Sequence, residues 1–446
     1  MLAPVPPDST RAGSAATQAS PRFSPPPEPI AFTPDQAAAL PKNADVVVVG
    51  AGMVGASAAY RLALAGLRPL VIEANAPASG ASGRLAGLAL AGLGGHFPRV
   101  TALVSGSGGR SILDYTYRSL ELLDELEASL PGGVEWERCG SLDLLRDDAE
   151  LAHGRAAAAA QAAEGLDVRI IDGADLRDLA PALDGARVRA AKWTPRDGKL
   201  NPFRLVYGLL EAAQRHGATV VTGVRVESLL ERGGAVVGID TSAGRVEADA
   251  VLLATNAWTP ALVGHIGLNL TPIREHVLVT EQVPPLLSPG FETNQCNEYW
   301  RQMRTGEVLI GGYAVADEEM GIGSYSMRVR GQVPPLLARL LIEMHPALRD
   351  VRVVRSWAGL LDFASLEIPM VGRLSDAGGE TIRGAYLACG FTGHGLPYAP
   401  VMGLLLAELI ASSAGEARTL PLAPFSPARY AGGARQPTWL EPFGAA

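Results

Sequence analysis

The stretch ADVVVVGAGMVGASAAYRLALAGLRPLVIEAN, residues Ala44 to Asn75, constrains the fold more than any other part of the chain. DVVVVG is a β-branched apolar run of strand length, the composition of a strand covered on both faces. GAGMVGASAAYRLALAG has small residues followed by helical spacing and closes at Gly66, and RPLVIEA reads as a second strand. Strand, tight turn, helix and strand make one βαβ unit. Gly50, Gly52 and Gly55 stand at its turn in the spacing G-x-G-x-x-G. The first glycine permits the turn, the second lets the backbone approach a pyrophosphate, and the third lets the helix pack close. The helix N-terminus favours the phosphate charge. Glu73 ends the second strand, 18 residues after Gly55, where a carboxylate can take both ribose hydroxyls. NAD and FAD share this fingerprint, so it predicts a dinucleotide without choosing between them.

The 446 residues leave room for two or three domains, and 48% hydrophobic with 19% charged residues fits a globular chain with a sizeable core. A net charge of −8 without blocks of like charge offers nothing to nucleic acid or an anionic membrane. Cys139, Cys296 and Cys389 are far apart and form no C-x-x-C pair, which argues against a disulfide framework or a zinc site, so no metal is expected. No run reaches the ~18 apolar residues of a membrane span. The start of the chain lacks the compact apolar core of a secretory signal, and Asp8, Glu28 and many prolines argue against a transit peptide. A cytoplasmic compartment is the expectation, with residues 1–43 a Pro-, Ala- and Ser-rich tail.

Beyond the first unit, RSILDYTYRSLELLDELEASL, DLLRDDAELAHGRAAAAAQAAEG, NPFRLVYGLLEAAQRHGA and VPPLLARLLIEMHP have helical spacing. TVVTGVRVESLLE, AVVGIDTS and GRVEADAVLLAT alternate as a short meander, and REHVLVTE, EVLIGGYAV and VRVVRSWAG read as strands. Near the end, YLACGFTGHGLPYAPVMG is a second strand, glycine turn and helix. Two such turns suit a ligand extended across one sheet.

These residues carry a family resemblance. From about residue 44 to about 423 the chain resembles the FAD-dependent amino acid oxidase superfamily. The resemblance lies in the branch holding glycine and sarcosine oxidases, hydrogen cyanide synthase and opine oxidase subunits, and D-hydroxyproline dehydrogenase. It rests on the fingerprint with Glu73, then GASGRLAG, DGKLNPFRLVYGLLEAAQRHGA, LLATNAWTP and GFTGHGLPYAP, in that order. The resemblance implies an α/β fold with a discontinuous chain. A Rossmann-like three-layer FAD domain would come from 44–125, 195–265 and 355–425. A mostly antiparallel substrate domain would come from 126–194 and 266–354, with 426–446 a C-terminal extension.

It also implies FAD, held non-covalently, and a flavin that takes hydride from the carbon bearing an amine. Gly50, Gly52 and Gly55 would hold the pyrophosphate, Glu73 the ribose, and Val226 the adenine. Ser82, Gly83 and Arg84 would lie by the flavin and its ribityl chain. Ala254 and Thr255 would line the nucleotide, and Gly393, His394 and Gly395 the pyrimidine edge. Arg301 and Arg304 are the candidates to grip a substrate carboxylate, with Tyr299 and Trp300 as walls and His276 facing the pocket. Many relatives carry a carboxylate-gripping Arg where this chain has Leu361 in LLDFASLEIPMVG, and an oxygen-activating Lys is missing from GHGLPYAP. The electron acceptor is therefore open between oxygen, another acceptor and a partner subunit. His96 is the position to inspect for covalent flavin. Lys199 reads as a turn residue, Cys389 as core, and His153, His216 and His345 as surface residues. Two alternatives stay open: an electron-transfer or structural flavoprotein subunit, and an NAD(P)-dependent dehydrogenase.

Overall fold

The computed structural model describes residues 40–94, 97–105, 111–268, 270–293, 298–317, 321–413 and 415–430. Two eight-stranded sheets carry the fold. At the centre of the first is Asn43–Val49, the β-branched run that opens the fingerprint. Val46 and Val48 enter one core cluster and Val47 and Val49 another, on opposite faces. A strand apolar at every position is thus buried on both sides, as its composition requires.

Five parallel strands run in the spatial order Thr219–Thr222, Pro69–Glu73, Asn43–Val49, Gly244–Leu253, Thr381–Cys389. The chain builds outward on one side of its first strand and then returns to build on the other. Helices Met53–Leu64, Ile112–Ser129, Pro202–Arg215 and Ala399–Ala411 pack into the core on one face. The meander Val226–Arg232 and Ala235–Thr241 continues antiparallel from Gly244–Leu253. The reversal of build direction opens a crevice between the carboxyl ends of Asn43–Val49 and Gly244–Leu253, where α/β sheets bind ligands.

The second sheet runs in the order Val353–Ala364, Leu270–Gln282, Glu307–Gly312, Tyr299–Gln302, Gly290–Thr293, Ser141–Leu145, Ala190–Thr194, Arg169–Ile171. Every pairing is antiparallel except that of Gly290–Thr293 with Ser141–Leu145. Helix Val333–Met344 closes its outer core around Phe291 and Trp300.

Two expectations need correction. Val353–Ala364, placed with the nucleotide unit by sequence, pairs with Leu270–Gln282 from Ala364 to Val353 and so belongs to the second sheet. The stretch read as continuous helix from DLLRDD begins with the strand Ser141–Leu145, and its helix starts at Asp148, capped by the Asp147 side chain. Of the expected tail and extension, only Leu40–Asn43 and Ser426–Tyr430 are described; the rest lies outside the described residues, as does His96. Among the described residues no helix is long and apolar enough to cross a membrane.

Candidate functional site

One cavity of about 690 Å³ runs from the fingerprint turn to the inner face of the second sheet. At its nucleotide end, Gly50 has φ +102°, and a Cβ there would lie 2.6 Å from the Ala254 carbonyl oxygen. A Cβ on Gly55 would lie 2.0 Å from the Gly50 oxygen, so only glycine lets the first helix seat against its own turn. Glu73 accepts from the Ala51 N–H at 3.0 Å and the Asn75 N–H at 2.8 Å, which fixes its carboxylate beside the turn. Ser82 Oγ accepts from the Met53 N–H at 3.0 Å, tying GASGRLAG to the helix start. Gly50, Gly52, Glu73, Ser82, Val226, Ala254 and Thr255 all line this end. Gly55 and Gly83 stand behind the wall; a Cβ on Gly83 would meet the Ala78 oxygen at 2.2 Å.

The middle of the cavity is where the two sheets meet. Arg84 donates from Nε to the Ser79 oxygen at 3.0 Å and from Nη1 to the Ala358 oxygen at 2.8 Å. Trp357 Nε1 donates to the Arg84 oxygen at 3.0 Å, so this loop is bonded to the second sheet in both directions. Gly393, His394 and Gly395 line the opposite wall. His394 Nδ1 lies 2.9 Å from the Thr392 oxygen. Asp362 is buried there, accepting from Gly390 N–H at 2.5 Å and Phe391 N–H at 3.2 Å. Burial pushes its carboxyl up to about 7, against the opposing pull of the backbone donors. Leu361 lines the cavity beside Gly393.

At the far end, Tyr299 donates its hydroxyl to Glu275 Oε2 at 2.7 Å. A Cβ on Gly311 would fall 2.6 Å from the Tyr299 ring, so this glycine makes the recess in which the ring lies. Burial pushes the Glu275 carboxyl up to about 7, the Tyr299 bond opposes this, and the charge of Glu298 adds to it. Glu292, across the strand pair from Tyr299, is pushed up by burial and by Asp143 behind it. Asp143 pairs with the buried Lys192 at 3.4 Å. Glu275, Glu292 and Glu298 all line the cavity. No group of three or more His, Cys, Asp or Glu residues suited to a metal ion occurs among the described residues.

Several expected site residues lie elsewhere. Arg301 shares a strand face with Tyr299, but its Nε donates to the Ala86 oxygen and its Nη2 to the Leu200 oxygen at 2.9 Å. Burial lowers its guanidinium to about 10, and it is absent from the cavity wall. It is a clamp on two backbone carbonyls, not a carboxylate grip. Arg304 is exposed in the following turn. His276 points to the other face, where its Nε2 accepts from the Arg330 N–H at 3.0 Å. Strand alternation sends Glu275 and Val277 to the cavity and His276 away from it.

Trp300 is likewise in the outer core, stacked on Phe291 with ring centroids 5.4 Å apart. Its Nε1 donates to Nε2 of His345 at 2.9 Å, so His345 is a buried core residue, not a surface one. Lys199 is also buried, donating to the Ser288 oxygen at 2.9 Å. Cys389 is core as expected, and His153 and His216 are exposed. The residues that sequence reasoning passed over are Glu275, Glu292, Glu298 and Asp362. Glu275 adjoins His276 in sequence, and only the strand's phase separates them.

The family model described as FAD dependent oxidoreductase matches residues 45–409. Hydrogen cyanide synthase subunit HcnC of Pseudomonas aeruginosa is 27% identical over 419 residues, covering 86% of this chain and 96% of that protein. Sarcosine oxidase subunit beta of Rhodobacter capsulatus is 25% identical over 379 residues, covering 83% and 85%. Among solved structures, L-proline dehydrogenase from P. horikoshii superposes with a TM-score of 0.75 at 25% identity, covering 88% of this chain and 98% of that one.

Proposed function

The chain belongs to the FAD dependent oxidoreductase family, and we propose that it oxidises the C–N bond of a small amino acid or secondary amine. The cofactor is FAD, and the nicotinamide alternative falls with the family match. The observation that carries the reading is the continuity of the cavity from the fingerprint turn to the Tyr299–Glu275 pair. The residues fit the cofactor. A Cβ at Gly50 would strike the Ala254 carbonyl and one at Gly55 the Gly50 carbonyl, so only glycines let the turn close up at the cavity's edge, where Glu73 is held.

In this reading Gly50, Gly52, Glu73, Ala254 and Thr255 hold the nucleotide, Val226 borders the adenine, and Ser82 and Arg84 border the ribityl chain. Gly55 and Gly83 support the cradle from behind. Gly393, His394 and Gly395 border the flavin's pyrimidine edge from the turn that leads into the helix Ala399–Ala411, whose N-terminal partial positive charge favours an anion; the His394 N–H itself is held by the Phe391 oxygen at 2.9 Å. The chemistry FAD supplies when bound is acceptance of a hydride from the carbon bearing the amine, after which the imine is hydrolysed. The chain supplies position and a dry wall. Leu361 and Val277 would exclude water, and Tyr299 with Glu275 would offer a fixed polar pair to a substrate in the far end of the cavity.

The test is an anaerobic visible spectrum of the purified protein, with small amines and D- and L-amino acids added in turn. Bleaching of the flavin bands by one class supports the reading and identifies the substrate class. Recolouring on admission of air separates oxygen from another acceptor. A flavin that no amine or amino acid bleaches overturns it.

A further inference from the structure

We infer that Asp362 is a positioning residue for the cofactor: one buried carboxylate that fixes the two flavin-side turns against the second sheet. Asp362 sits in the edge strand Val353–Ala364 of that sheet, and its side chain reaches the turn that follows Thr381–Cys389. Its carboxylate takes the Gly390 and Phe391 N–H groups, and its own carbonyl accepts from Thr392 N–H at 3.0 Å. A second tie joins the same segments, Ala364 N–H to Thr392 Oγ1 at 3.4 Å.

From the other side comes Asn256. With its amide oriented to satisfy both ends, Asn256 Nδ2 donates to the two Asp362 oxygens at 2.7 and 2.8 Å, and its Oδ1 accepts from Ala257 N–H at 3.2 Å. Asn256 follows directly on Ala254 and Thr255, and Thr392 directly precedes Gly393 and His394. Three segments from separate parts of the chain, all lining the cavity, therefore meet at one carboxylate.

Two further facts point to a positioning role over simple packing. Asn256 and Thr392 both have φ +49°, in the left-handed region, which costs a non-glycine residue free energy and persists only where the surroundings hold it. Asn256 is bonded to the Asp362 carboxylate and Thr392 to the Asp362 main-chain carbonyl. An apolar side chain would fill the same space without the penalty of burying a charge, but it would not specify where the N–H groups of the turn point. Directional bonds to a fixed acceptor do.

This role concerns FAD and not the amine, so its test needs no substrate. FAD is titrated into apo protein, followed by quenching of flavin fluorescence, and the reduction potential of the bound flavin is measured against a reference dye. In Asp362→Leu the dissociation constant for FAD should rise at least tenfold. Measured at a pH above the Asp362 carboxyl's value of about 7, the potential should rise by about 30 mV, a tenfold change for a two-electron couple, because a buried negative charge near the cofactor is gone. Asn256→Ala should weaken FAD in the same direction by a smaller factor. Asp362→Asn, which keeps one acceptor oxygen, should recover part of the affinity but not the potential.

An Asp362→Leu chain that folds and binds FAD with wild-type affinity and potential overturns the inference. If that variant does not fold, Asp362→Asn and Asn256→Ala decide: wild-type affinity and potential in both overturns it, and a shift in either supports it. Failure of the wild type to take up FAD would instead overturn the cofactor assignment.

Discussion

Consider Gly403→Ala, a change at a residue that does not itself line the cavity. Gly403 lies in the helix Ala399–Ala411 where it crosses the helix Met53–Leu64. A Cβ there would sit 2.3 Å from Ser57 Cβ, 2.7 Å from the Ser57 carbonyl carbon and 2.8 Å from the Ala58 nitrogen. Carbon atoms in contact sit at about 3.5–4.0 Å, so the helices must part by roughly 1 Å. Two of the three obstacles are backbone, so no rotamer change relieves them. Alanine gains about 1 kcal/mol in helix propensity over glycine, while overpacking of this kind costs about 1–3 kcal/mol. With backbone in the way the upper end of that range applies, and the net loss should be about 2 kcal/mol. The effect on the site should be larger than its distance implies. Each of these helices begins at one of the two glycine turns, so parting them moves the Gly52 turn away from the Gly395 turn. We expect FAD affinity to fall at least tenfold together with a lower unfolding midpoint, measured by flavin fluorescence and thermal melts of apo protein. A variant with a raised midpoint and unchanged FAD affinity would show that propensity decides at this crossing, and would refute the coupling.

Three further outcomes follow from the same geometry. Arg301→Met should leave the Ala86 and Leu200 carbonyls without their charged donor and cost about 2–4 kcal/mol of stability, whereas Arg304→Ala should stay within about 0.5 kcal/mol; equal melts for the two would disprove the clamp. Burial raises the Glu275 carboxyl from 4.5 to about 7, so across that window the native chain holds a proton the unfolded chain has released. Its contribution to stability is full below pH 4.5 and lost as pH rises through 7. Glu275→Gln should flatten that slope in apo protein, and an unchanged slope removes Glu275 as its source. His345→Ala should strand the Trp300 indole N–H and the Ala182 carbonyl, costing about 2–4 kcal/mol; a melt within error of wild type would rule out that network.

The nucleotide half was legible in the sequence because its signals are local. A β-branched run, three glycines in fixed spacing and a terminal carboxylate each name their own backbone geometry, and Gly50, Gly55 and Glu73 stand where those signals put them. The substrate half was not, because there the decisive variable is which face of a strand meets the cavity. Trp300 and His276 sit on strands buried on both faces with polar residues on each, so alternation gives a phase without an origin. His276, expected to face the cavity, lies on the other face of its strand, and Glu275, one residue away, is the one that lines it. Arg301 fails differently: its phase is right, but two carbonyls nearer than the cavity capture its guanidinium. Asp362 was visible only as an odd acid in an apolar run, since its partners Asn256 and Gly390 are distant in sequence and nothing local announces them.

The order of strands in the first sheet also has a consequence for synthesis. Its central strand Asn43–Val49 precedes in the chain its far-side partner Gly244–Leu253 and that strand's own partner Thr381–Cys389 by about 200 residues or more. At translation speeds of about 5–20 residues per second, the central strand waits on the order of tens of seconds for the far side of its sheet. During that wait the chain has one side of a sheet and no completed cofactor crevice. Non-local pairing of this kind slows folding and leaves strand edges open to other chains. Truncation before the helix Ala399–Ala411 should therefore yield aggregating chains that do not retain flavin, and FAD can act as a folding ligand only after that helix has left the ribosome.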